Sequence, residues 1–203
     1  MDVVDEQDAP KASKGRSKAQ SKAAFSPPLT VSSADLLVAG KDDNFRQVIY
    51  LFVKVLGRLS MCREAFGRAI GLTGSQFAVL IGVAYRQGDE GVTVKELARY
   101  VQLAPTHVTT EVGRLSRKGL LDKRPGSEDR RSILVSLTAE GEESVKKVAP
   151  FVRKINDLLF VGVSAADLSA AHATFAKLSR NSEYAVAELK LAARNDRSKR
   201  SGA

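Results

Sequence analysis

Between Thr93 and Thr138 the chain sets down a short capped helix, a three-residue break, a second helix and a β-hairpin, and few folds accept that order. "GVTVKELARYVQL" places Glu96 three residues after Thr93, the reciprocal capping pattern, and has room for about two helical turns. In "PTHVTTEVGRLSRKGL", Pro105 suits a first turn and Val108, Val112 and Leu115 recur on one face. Gly119 reads as the left-handed residue that ends this helix. In "GLLDKRPGSEDRRSILVSLT", two runs with strand character, 120–124 and 132–137, flank a turn holding Pro125, Gly126, Ser127 and Asp129.

The flanking segments are helical by period. Phe45, Val48, Phe52, Val55, Leu59, Cys62 and Phe66 fall at alternating spacings of three and four, which predicts a long first helix with one buried stripe. "GLTGSQFAVLIGVAYRQ" predicts a second helix to about Gln87, with Thr73 and Gln76 as its capping box. After the hairpin, Val145, Val148, Val152, Ile155 and Leu159 mark another helix, with a bend expected at Pro150, and a last one runs from about Ala165 to Leu189 with Ser164 as cap. The expected fold is mainly α with a small two-stranded β-hairpin wing.

Helix-turn-helix followed by a hairpin is the winged-helix arrangement, whose second helix enters the DNA major groove while the hairpin reaches the adjacent minor groove. That accounts for charge which folding does not require: Lys123, Arg124, Arg130 and Arg131 stand at the feet of the turn. Cations there neutralise phosphates, and one at the tip suits a narrow, negative minor groove. On the second helix Pro105, Thr106, His107, Thr109 and Thr110 lie off the apolar stripe near the N-terminal end that meets base edges. Arg114 reaches either a phosphate or Glu111.

A net charge of +9 fits a polyanionic partner, and 43% hydrophobic residues suffice for a core in 203 residues. The N-terminus has no signal-peptide pattern and no apolar run reaches about 18 residues, so a cytoplasmic protein without a membrane partner is expected. One cysteine, Cys62, forbids an intramolecular disulfide and gives no metal cluster, and two histidines, His107 and His172, are too few for most zinc sites. There is no Gly-rich phosphate loop and no nucleophile elbow, so neither an enzyme nor a cofactor is expected. Residues 1–40 and 190–203 are rich in Ser, Ala, Gly and Lys and read as disordered tails, the second one basic.

Residues 45–189 resemble the MarR (multiple antibiotic resistance regulator) family of bacterial transcription factors. The resemblance rests on Leu115, Gly119 and Leu120 at the exit of the second helix, Asp129, Arg130 and Arg131 in the wing, and "LTAEG" from Leu137 to Gly141. It implies a homodimer joined through helical regions 41–70 and 142–189, with 71–141 as the DNA-binding winged helix on a pseudo-palindromic operator. It also implies that Asp129 holds Arg131 so that an arginine probes the minor groove. Two departures stand out: Ala104 replaces the capping residue many relatives carry before the recognition helix, and Cys62 lies well past the position of the reactive cysteine in the peroxide-sensing branch.

The resemblance further implies an effector pocket walled by the first, second and fifth helices. Arg58, Cys62, Arg63 and Phe66 on the first helix, with Phe77 and Tyr85 on the second, offer cations beside rings, which suits an aromatic carboxylate or an aryl-CoA thioester. The leading expectation is a ligand-responsive repressor. The alternatives are an effector-independent architectural or assembly protein and a thiol-based redox sensor acting through Cys62.

Overall fold

The computed structural model describes residues 25–126 and 132–201, and the chain divides into two units, Met1–Lys54 and Val55–Ala203, the division falling within the first long helix. In the first unit a 3-10 turn, Ala34–Leu36, and a bridge between Val38 and Lys41 lead into α1 (Asp43–Arg68). Asp42 closes this segment. Its buried carboxylate accepts from the Thr30 amide at 2.7 Å and hydroxyl at 2.6 Å and from Arg46 at 2.6 Å. Part of the stretch expected to be a tail therefore carries short-range order, because one carboxylate gathers three donors.

The second unit continues with α2 (Gly74–Arg86), β1 (Val92–Thr93), α3 (Val94–Val101), α4 (Pro105–Arg117), β2 (Leu121–Pro125), β3 (Ile133–Leu137), α5 (Ala139–Leu159) and α6 (Ala165–Ser201). Both expected capping boxes form, Thr73 with Gln76 and Thr93 with Glu96. Ser164 caps α6 by accepting from the Asp167 amide at 3.1 Å. The side chains of Leu80, Leu97, Val108, Leu115 and Val135 meet in a fully buried core among α2, α3, α4 and the sheet. That core fixes how α4 is presented.

The wing is a three-stranded antiparallel sheet of order β1-β3-β2, where the sequence suggested two strands. Val92 and Thr93 pair with Val135 and Leu134, and so short a strand, already serving as a helix cap, leaves no periodicity to read. β2 pairs with β3 from Leu121↔Leu137 to Pro125↔Ile133, and Pro125 is tolerated because β2 is an edge.

The root of the wing explains the "LTAEG" motif. Thr138 accepts from the Gly141 amide at 3.0 Å and donates to the Gly119 carbonyl at 2.6 Å, while its own amide bonds to the Leu120 carbonyl at 3.2 Å. Gly119 takes φ +76°, the left-handed turn that its position requires. A Cβ on Gly141 would stand 2.1 Å from the Leu120 oxygen, so only glycine fits.

Two expectations about helices need correction. The α1 stripe is fully buried only at Phe66; Phe45, Val48, Phe52 and Cys62 are half-buried, and Val55 and Leu59 are 48% and 38% exposed. α5 carries Pro150 inside one continuous helix. α6 extends to Ser201, twelve residues past the expected Leu189, because Lys190, Leu191, Ala192, Ala193 and Arg194 are good helix formers whose charge had argued for a tail. Its Leu168, Leu178, Leu189 and Leu191 are exposed.

Candidate nucleic-acid interface and cavity

α4 is seated by Val108, Val112 and Leu115, at 0%, 3% and 0% exposure, which leaves its opposite face to solvent. On that face stand Pro105, Thr106, His107, Thr109, Thr110 and Arg114. The first intrahelical amide is that of Val108, bonded to the Ala104 carbonyl at 3.0 Å, and Ala104 supplies no side-chain cap. The Thr106 and His107 amides thus precede the ladder at the positive end of the helix dipole, where a phosphate is favoured. The Thr109 and Thr110 hydroxyls donate to the carbonyls of Pro105 (2.9 Å) and Thr106 (3.0 Å). Their oxygens remain acceptors and their methyls remain apolar contacts.

Arg114 pairs with Glu111, its Nη1 donating to Oε1 at 2.7 Å. Glu111 is 2% exposed, a burial the sequence did not suggest, although it lies between the Val108–Val112 stripe and the exposed face. His107 Nε2 is 3.9 Å from the same oxygen, beyond hydrogen-bond range. On the wing, Lys123 is exposed, whereas the Arg124 guanidinium donates to the Glu90 carbonyl and ties β2 to the turn before β1. Asp129, Arg130 and Arg131 lie outside the described residues. Among residues not anticipated, Lys118 donates to the Gly71 carbonyl at 2.9 Å and locks the end of α4 onto the α1–α2 turn.

Carboxylates at the caps of the helices are held as anions. The Thr93 hydroxyl, then its amide, keep Glu96 below the ordinary glutamate range, and Ser164 does the same for Asp167. In the first unit, Asp42 is held down by the Thr30 hydroxyl and amide and by Arg46.

A cavity of about 580 Å³ opens among α1, α2 and α5. Cys62, Arg63, Phe66, Phe77 and Tyr85 line it, five of the six residues expected, but Arg58 does not. Arg58 points along the exposed side of α1, where its Nη1 lies 3.8 Å from Met61 Sδ. The ring of Phe66 packs 5.6 Å from Phe77 and edge-on to Phe151 at 5.5 Å, making an aromatic wall. α5 adds Arg153, Asn156 and Asp157, which the sequence reading missed; their spacing from Val148 and Val152 was the available signal. The Nε of Arg63 is buried and has no hydrogen-bond partner among the described residues. Among those residues no group of three or more His, Cys, Asp or Glu could hold a metal, and no helix is long and apolar enough to cross a membrane.

Residues 70–132 match the MarR family profile. The chain is similar to the HTH-type transcriptional regulator YdcH of Bacillus subtilis, 36% identical over 90 residues that make up 44% of this chain and 61% of that protein. It is also similar to the transcriptional activatory protein BadR of Rhodopseudomonas palustris, 34% identical over 94 residues, 45% of this chain and 54% of that one. The chain spans between half and two thirds of the length of these two relatives. The fold matches the crystal structure of CouR from Rhodococcus jostii bound to p-coumaroyl-CoA, with a TM-score of 0.58 and 21% identity over 64% of this chain and 90% of that one.

Proposed function

We propose, from the match of residues 70–132 to the MarR family profile, that this chain is a homodimeric, sequence-reading DNA-binding protein of that winged-helix family whose occupancy of an operator is set by a small anionic aromatic effector. The observation that carries the DNA-binding reading is the presentation of α4. A fully buried stripe anchors the helix, while an uncapped N-terminus, two threonines, His107 and Arg114 face outward beside the exposed Lys123. Folding alone does not require that display.

The exposed apolar residues of α1 (Val55, Leu56, Leu59) and of α6 support a second copy as their cover, since solvated apolar runs of this length are costly. Two recognition helices would then lie about one DNA turn apart on a pseudo-palindrome, roughly 10 base pairs between half-sites. The chain would act in the cytoplasm, where the DNA is.

The cavity supports the effector reading. Its volume suits one substituted ring, its wall is aromatic, and the unpartnered Arg63 Nε and neighbouring Arg153 favour a carboxylate or thioester oxygen. An aryl-CoA thioester would seat its aryl head there and leave its nucleotide outside. Binding changes operator occupancy only through unequal affinity for DNA-competent and DNA-incompetent dimers. Repression released by effector is the leading reading; the likeness to an activatory protein favours activation as the second.

The test is fluorescence anisotropy on the DNA flanking the chain's own gene, with excess random duplex, titrated with aromatic acids and their CoA thioesters. Specific binding altered by one compound supports the reading. Binding that random duplex abolishes and no compound alters refutes it in favour of an architectural protein, and a response abolished by Cys62→Ser favours thiol sensing.

A further inference from the structure

Glu111 is a carboxylate that folding does not need. It sits 2% exposed on α4, next to Val108, Val112 and Leu115, where an aliphatic side chain would pack without cost. Its Oε1 accepts from Arg114, but its Oε2 is buried with no hydrogen-bond partner among the described residues. Half-satisfied buried carboxylates destabilise, and replacing such groups by apolar side chains of similar volume is often neutral or stabilising. A destabilising residue on the helix that carries the DNA-facing groups calls for a role outside the core.

Its geometry supplies one. Glu111 is three residues before Arg114 and four after His107, so all three share one flank of α4, at the border between its buried stripe and its exposed face. Arg114 is half exposed, with a side-chain exposure of 52%. A free arginine there would sample many rotamers and track phosphates as a mobile charge. Held at Nη1 by Glu111, it samples fewer rotamers, which narrows the orientations open to its remaining donors. Orientation is what a base edge requires and a phosphate does not.

We propose that Glu111 is a positioning residue for base readout: it gives up fold stability to fix the Arg114 guanidinium, and so sets the sequence selectivity of the recognition helix. This rests on the DNA-binding reading of α4 given above. The carboxylate also subtracts one positive charge from the DNA-facing surface, which lowers sequence-independent attraction and raises selectivity in the same direction.

The experiment uses the full chain. Wild type, Glu111→Met, Glu111→Gln, Arg114→Ala and the Glu111→Met/Arg114→Ala double variant are each given a random duplex pool, and the enriched sequences, the ratio of specific to random-duplex affinity and the melting temperature are read. Glu111→Met is expected to melt at or above the wild-type temperature while its selectivity ratio falls at least about fivefold, the factor set by about 1 kcal/mol of lost base discrimination. Its loss of preference should fall at the same base positions as in Arg114→Ala, and the double variant should lose no more than Arg114→Ala alone. Glu111→Gln, which keeps an oxygen for Arg114, should retain the wild-type positions with a smaller loss.

A folded Glu111→Met with wild-type selectivity, or losses at positions that Arg114→Ala leaves intact, overturns the inference. So does an additive double variant. Should Glu111→Met not fold, Glu111→Gln decides by the same base positions. If wild type itself enriches no sequence, the DNA-reading assignment falls and this inference with it, an outcome distinct from enrichment that is indifferent to Glu111.

Discussion

Replacing Gly141 by alanine tests how the wing is rooted on the helical body. The added methyl carbon would lie 2.1 Å from the Leu120 carbonyl oxygen and 3.3 Å from Leu137 Cδ2. A relaxed carbon–oxygen contact is roughly 3.3 Å, so the start of α5 and the 119–121 turn must part by about 1 Å. The Leu120 oxygen also accepts from the Thr138 amide at 3.2 Å, and that bond stretches or breaks with it. Overpacking of this kind costs about 1–3 kcal/mol and the hydrogen bond about 1 kcal/mol. Exchanging glycine for alanine inside a helix returns about 0.5–1 kcal/mol. The net is about 2 kcal/mol of destabilisation, which lowers Tm by about 4–8 °C for a chain of this size. Circular dichroism melts measure it, with Gly113→Ala in parallel: a Cβ at Gly113 meets nothing within 4 Å, so the same exchange there should stabilise by about 0.5–1 kcal/mol. A Gly141→Ala protein that melts at or above wild type would refute this account of the wing root.

Other consequences are accessible to simple assays. Because donors from Thr30 and Arg46 depress the Asp42 carboxyl, its contribution is complete above the unfolded value of about 3.9 and fades as pH falls through the lower folded value. Hydrogen-exchange protection at the Thr30 amide should therefore hold from about pH 7 down through about pH 4 and be lost only at lower pH, as the depressed carboxyl is protonated, while Asp42→Asn loses it throughout; loss already above about pH 5 would contradict the clasp. Lys123→Ala should weaken binding to all duplexes alike and reduce the slope of log affinity against log salt by about 1, whereas a sequence-dependent loss would assign Lys123 to base readout. Arg153→Ala should weaken an aromatic carboxylate in the cavity by at least about tenfold by isothermal titration calorimetry, the loss expected of a charge-assisted hydrogen bond, and unchanged affinity would place the carboxylate elsewhere.

The features legible in the chain before folding are those that neighbours within a few residues decide. The capping boxes at Thr73 and Thr93, the Pro105 start and Gly119 exit of α4, and the Val108, Val112, Leu115 stripe all follow from local hydrogen bonding and helical period, and all stand in the structure. The exposed face of α4 was legible for the same reason, since it is the complement of that stripe. Five of the cavity residues were legible because the family resemblance implied a pocket among the first, second and fifth helices and helical spacing placed these residues beside the apolar stripes. Tertiary structure decided the rest. β1 exists because β3 brings Val135 and Leu134, distant in the chain, beside Val92 and Thr93. Arg58 leaves the cavity and Arg153, Asn156 and Asp157 enter it because rotation of α1 and docking of α5 select which flank faces inward. The α1 stripe, strong as a periodic signal, stays exposed at Val55 and Leu59 because periodicity reports that a face wants cover and not which element supplies it. Glu111 is the sharpest case: composition places a glutamate on the surface, and only packing of α4 against its neighbours puts this one, with a single arginine to hold, inside.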